Sequence, residues 1–150
     1  EDNNSNNNNS ILPFIFNENT QPNQIPRSVE YIQIQQGVTS IPNEVFCGCR
    51  ALRRVDIPNT VTTIGNGAFN ECIALQSLNL PNSLTRIGRY AFLKSGLTEI
   101  EIPDSATSIG YGLFGNCESL RRIQFPANAE LEMGHFVCCR CDNLTTVEIP

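Results

Sequence analysis

Residues 59–81 read Asn-Thr-Val-Thr-Thr-Ile-Gly-Asn-Gly-Ala-Phe-Asn-Glu-Cys-Ile-Ala-Leu-Gln-Ser-Leu-Asn-Leu-Pro, and the same order of residue types returns on both sides of this stretch. Proline recurs at Pro58, Pro81, Pro103, Pro126 and Pro150, with gaps of 23, 22, 23 and 24 residues. Phenylalanine recurs at Phe46, Phe69, Phe92, Phe114 and Phe136, and leucine at Leu52, Leu75, Leu97, Leu120 and Leu144. Three columns in one register, at a period of 20–50 residues, are the mark of a stacked repeat protein.

An alternating apolar pair recurs once per repeat, at Ile32 and Ile34, Val55 and Ile57, Leu78 and Leu80, Ile100 and Ile102, Ile123 and Phe125, Val147 and Ile149, and a proline follows every pair but the first, which carries Gln35. Alternation at period two buries one face of a strand. Six such strands, each one repeat apart and running the same way, predict a parallel sheet. Proline ends each of the later strands because it has no N–H to give the ladder. A second apolar pair follows, as in Val61 and Ile64, and then glycine at Gly65, Gly88 and Gly110, read as a turn with positive φ. Pro42 takes that place in the first full repeat. The segment that returns the chain to the next strand is too short for an independent α-helix. One rung cannot bury its apolar face alone. Stacking makes the core continuous, with the phenylalanine column as its spine.

Written out, the repeat is Leu-Pro-x-x-Leu-Thr-x-Ile-Gly-x-x-Ala-Phe, then Cys-x-x-Leu-x-x-Leu-x-Leu-Pro. It resembles the BspA-like leucine-rich-repeat family of bacterial and protist surface proteins over about Val29 to Pro150, best at residues 59–81. The resemblance implies a curved repeat solenoid with little helix and a parallel β-sheet on its concave side. It also implies protein binding or adhesion, at the cell surface or outside the cell, and names no ligand.

The expected organisation is an Asn-rich disordered tail over residues 1–10, an irregular N-terminal cap over 11–28, and a right-handed solenoid of about five repeats of 22–24 residues over 29–150. Two repeats depart from the pattern. The third lacks a residue between Phe92 and Leu97, with Leu93-Lys94-Ser95-Gly96 in the cysteine region. The last has His135 at the alanine position and a longer stretch from Phe136 to Leu144. The chain stops directly after its sixth strand, an expectation of a longer protein or of a partner over the open end.

Lys and Arg number 10 against 15 Asp and Glu, a net charge of −5. That balance argues against nucleic acid and against an anionic membrane surface. No run approaches the roughly 20 apolar residues that span a bilayer, so membrane insertion is not expected.

Cys49, Cys72, Cys117 and Cys141 each lie three residues before the leucine column, where a small buried hydrophobe is the simplest reading. Cys47, Cys138 and Cys139 fall outside that column. Cys138, Cys139, Cys141 and His135 superficially resemble a zinc ligand set, but no second matched pair lies nearby. No metal and no cofactor are therefore expected. A disulfide between Cys47 and Cys49, or within the last repeat, stays open, and seven cysteines leave at least one unpaired. No nucleophile signature surrounds any cysteine, and dinucleotide, phosphate-loop and serine-elbow motifs are absent, so the chain is not expected to be an enzyme.

The candidate binding residues are those pointing outward from the strands. One column is Gln33, Asp56, Asn79, Glu101, Gln124 and Glu148, all carboxylate or amide. Its neighbour is Tyr31, Arg54, Ser77, Glu99, Arg122 and Thr146. Solubility alone would explain such a face. The functional reading is a concave polar surface for a protein or glycan partner, to which a basic or hydroxyl-rich ligand would be suited. A structural subunit of a larger assembly is the alternative. Sequons at Asn3, Asn8 and Asn143 are compatible with secretion in a eukaryote.

Overall fold

A computed structural model describes residues 11–150 as a parallel β-solenoid of about five turns. The expectation for residues 1–10, with the sequons at Asn3 and Asn8, lies outside the described residues. The strands are β1 (Phe14–Phe16), β2 (Tyr31–Ile34), β3 (Ser40–Ile41), β4 (Arg54–Asp56), β5 (Thr63–Ile64), β6 (Arg86–Ile87), β7 (Glu99–Glu101), β8 (Ser108–Ile109), β9 (Arg122–Gln124), β10 (Glu132–Met133) and β11 (Thr146–Glu148). The helical content described is one turn of 3₁₀-helix, Pro22–Gln24.

Two faces are built from these strands. The first holds the outward columns and consists of two three-stranded sheets, in the orders β1-β2-β4 and β7-β9-β11. The second is one five-stranded sheet of two-residue strands, β3-β5-β6-β8-β10. Every described pairing is parallel, and equivalent residues face each other, as in Ile32↔Val55, Ile64↔Ile87 and Ile100↔Ile123.

Four expectations are corrected. The six apolar pairs do not make one sheet, because Ser77–Leu80 form no strand and none of their backbone groups joins the ladder, although Leu78 stays buried. Within the segment read as an irregular cap, Phe14–Phe16 pair with β2 and place the Phe16 ring 5.3 Å from Phe46.

Third, Gly65, Gly88 and Gly110 are not the positive-φ positions. They are glycine because the turns stack closely: a Cβ on Gly65 would lie 2.5 Å from the Asn43 nitrogen, and one on Gly110 would lie 2.4 Å from the Arg89 nitrogen. Pro42 is tolerated there because β3 is the edge strand, with no two-residue strand before it. The left-handed backbone lies elsewhere, in two columns: Glu44, Gly67, Tyr90, Gly112 and Phe136, then Gly48, Glu71, Lys94, Asn116 and Arg140.

Fourth, Phe136 does not join the spine. The nitrogens of Phe69, Phe92 and Phe114 bond the carbonyls of Ala91, Leu113 and Val137, so Val137 occupies the alanine column and Cys138 the phenylalanine column. Phe136 is exposed, and the additional residue lies upstream, in the loop between Phe125 and Met133. The spine runs through Phe16, Phe46, Phe69, Phe92 and Phe114, with ring centroids 5.3–5.8 Å apart.

Candidate functional site

The first face sorts its outward residues into three groups. At one end, Tyr31 and Arg54 are register partners, and both reach Asp56. The Tyr31 hydroxyl donates to Asp56 Oδ2 at 2.6 Å, while Arg54 donates to both Asp56 oxygens at 3.0 Å and lies 4.5 Å from the Tyr31 ring centroid. The bond from Arg54, then that from Tyr31, holds the Asp56 carboxyl below its usual range; the same bond raises the Tyr31 phenol. Gln33 stays exposed beside this group.

At the other end, Arg122 donates to Glu148 at 3.1 and 2.8 Å and to Gln124 at 3.2 Å. That pairing lowers the Glu148 carboxyl and raises the Arg122 guanidinium, whose proton Glu99 and Glu101 also favour. Thr146 is exposed next to Arg122 in the register. Both groups are solvent-facing, so screening by water leaves each ion pair little to contribute to stability.

Between them lies the interruption of the sheet. Ser77, Asn79, Glu99 and Glu101 surround a cleft of about 310 Å³ that extends to Arg122. Among the described residues, neither Glu99 nor Glu101 has an ion-pair partner within 4 Å, and neither Ser77 nor Asn79 has a side-chain hydrogen bond. Among the described residues, six of the twelve thus form two internally paired clusters, Gln33 and Thr146 lie exposed beside them, and Ser77, Asn79, Glu99 and Glu101 stand between them without such partners.

The cysteines divide by register. Cys49, Cys72 and Cys117 are fully buried, and Cys141 is half-buried at the last turn. Burial pushes the Cys117 thiol up to about 11, and pushes Cys72 higher still. Ser95 takes the cysteine place in the third repeat, buried with its oxygen 3.4 Å from Cys117 Sγ. The missing residue therefore falls between Ser95 and Leu97, where Gly96 passes against the Ile73 carbonyl. The neighbouring Cys138 thiol favours ionisation of Cys141, which is lowered to about 7, while Cys138 itself is raised. All seven thiols are unpaired. Among the described residues, no three His, Cys, Asp or Glu side chains are grouped to hold a metal. Nor is any described helix long and apolar enough to cross a membrane.

One group escaped the sequence reading. Tyr90, Tyr111 and Phe136 form an exposed edge-to-face row, each step 5.4 Å between centroids. The signal was available in the column Asn43, Asn66, Arg89, Tyr111 and His135, whose character changes halfway along the stack.

The repeats themselves decide the family. Residues 3–52 and 39–150 match the BspA type leucine rich repeat region, in six copies. The chain belongs to the BspA-type leucine-rich-repeat family. The match begins upstream of Val29, in keeping with β1 as an earlier strand of the stack. A comparison with curated proteins gave no match. Among solved structures, a leucine-rich repeat protein from Bacteroides ovatus is 33% identical with a TM-score of 0.76, over 81% of this chain and 31% of that one. A leucine rich cell surface protein from Faecalibacterium prausnitzii is 30% identical with a TM-score of 0.77, over 83% and 34%. The T. pallidum leucine rich repeat protein is 27% identical with a TM-score of 0.69, over 78% and 55%. This BspA-type chain spans about a third to a half of those proteins. Repeats of this family point to a protein-binding module.

Proposed function

We propose that the chain is a non-catalytic recognition module, at the cell surface or outside the cell, that binds a protein partner on its first face for adhesion. The observation that carries this reading is the cleft where the backbone ladder opens, ringed by the free acceptors Ser77, Asn79, Glu99 and Glu101. On either side of it the charged residues of the two columns, Arg54 with Asp56 and Arg122 with Glu148, are already paired within the chain. A partner segment bearing lysine or arginine would meet both carboxylates and supply donors to Asn79 and Ser77. The cell-surface description of the Faecalibacterium prausnitzii protein supports the compartment. Deep burial of the columnar thiols supports binding rather than turnover.

Affinity capture with the parent protein under non-reducing conditions, followed by mass spectrometry, tests the reading when run beside a Glu99→Gln/Glu101→Gln variant. A surface protein captured by the first and lost with the second is expected. Equal capture by both would remove the cleft from the account.

A further inference from the structure

A second site lies on the other face, and the outward columns do not account for it. In the first two turns an asparagine side chain links each turn to the next: Asn43 Oδ1 accepts from the Asn66 nitrogen at 2.7 Å, and Asn66 Oδ1 from the Arg89 nitrogen at 2.8 Å. The following members of the column are Arg89, Tyr111 and His135, and the link stops. The next column holds left-handed backbone throughout, which glycine adopts freely at Gly67 and Gly112. Tyr90 and Phe136 hold it with bulky aromatic side chains, at φ of 56° and 58°. The asparagine link is given up and aromatic residues take left-handed backbone in the same few turns, a pattern associated with functional sites.

The result is the aromatic row. Gly112 makes room for it, since a Cβ there would come 2.6 Å from the Tyr90 ring. Tyr90 and Tyr111 of this row line a hollow of about 560 Å³, within the range of roughly 300–1,000 Å³ common to small-ligand sites. Ile109 and Met133 line it, with Arg89, Ser108, Glu132 and His135 alongside the rings. Among the described residues, none of those four polar side chains has a hydrogen-bond or ion-pair partner.

We propose that this hollow binds a neutral oligosaccharide. The apolar C–H face of a sugar ring packs against the rings of Tyr90 and Tyr111, while its hydroxyls both donate and accept. The lining offers a guanidinium, a carboxylate, a hydroxyl and an imidazole together, so both roles find partners. Arg89 and Glu132 balance in formal charge within the lining, so the lining carries no net charge from this pair to select an anionic or a cationic ligand. A proline-rich peptide would use the rings and leave both charged groups without partners.

The chain has no tryptophan and three tyrosines, two of them in this hollow, so tyrosine emission of a Tyr31→Phe variant reads the site directly. Cellobiose, maltose, lactose and an array of neutral glycans are the probes. A saturable emission change is expected, about tenfold weaker in Tyr111→Ala and in Arg89→Ala, and unaltered by Glu99→Gln/Glu101→Gln. Arg89→Ala removes an exposed side chain, so it keeps the test decisive if the aromatic variant fails to fold. The proposal is overturned by no saturable change with any neutral glycan, by binding confined to sialylated or sulfated glycans, or by capture of a proline-rich peptide instead. Sugar binding that survives both Tyr111→Ala and Arg89→Ala would overturn it equally.

Discussion

The Cys72 thiol donates a hydrogen bond to the main-chain carbonyl of Phe46, one turn earlier, at 3.3 Å. Cys117 does the same to Phe92 and Cys141 to Phe114, both at 3.0 Å. The cysteine column is therefore a stitch between turns at these three places, whereas Ser95 in the same column meets Cys117 Sγ at 3.4 Å instead.

This placement predicts thiol reactivity. With Ellman's reagent, Cys139 should react in the folded protein, whereas Cys49, Cys72 and Cys117 should react only on unfolding. Alkylation of Cys141 should rise through a pH of about 7, where its thiolate forms. Labelling of Cys72 as fast as Cys139 would contradict the register.

Two phenylalanines test the corrected spine. Phe92→Ala should cost about 3–5 kcal/mol in a denaturant melt, because the ring is fully buried between Phe69 and Phe114. Phe136→Ala should stay within about 0.5 kcal/mol of the parent, since its side chain is exposed. Equal losses would restore Phe136 to the core.

Gly110→Ala should destabilise by about 1–3 kcal/mol even though its backbone is ordinary, because the added carbon meets the Arg89 main chain at 2.4 Å. Gly37→Ala has open space but a φ of 103°, so its penalty arises from backbone strain alone. A neutral Gly110→Ala melt would refute the close stacking of turns.

Tyr31 should titrate above the ordinary tyrosine range, and Asp56→Asn should bring it back down. The bond to Asp56 favours the protonated phenol in the folded state. Its contribution to stability is thus complete below the unfolded pKa, and is lost as pH rises through the folded one. Absorbance titration in a Tyr90→Phe/Tyr111→Phe background isolates the signal. A Tyr31 titration left unchanged by Asp56→Asn would break the assignment.

The solenoid was legible because two periods coincide: alternation within strands such as Ile32 and Ile34, and the spacing near 23 residues between columns. The break at Ser77–Leu80 was not, since Leu78 and Leu80 keep the alternation while the ladder opens around them. Phe136 misled the reading because residue type was followed in place of hydrogen-bond register. Gly65, Gly88 and Gly110 were located correctly, yet sequence alone could not separate a left-handed turn from close stacking. The outward columns were found as residues. Which of them are free, Glu99 and Glu101 rather than Asp56 and Glu148, depends on partners that only coordinates supply.

The most direct test of the recognition account is hydrogen–deuterium exchange of the chain alone and with its captured partner. Amides over residues 76–80, outside the ladder, should exchange quickly in the free chain and slow on binding, together with those of β7. Protection confined to the turns around Gly48 and Glu71, or none on the first face, would contradict it.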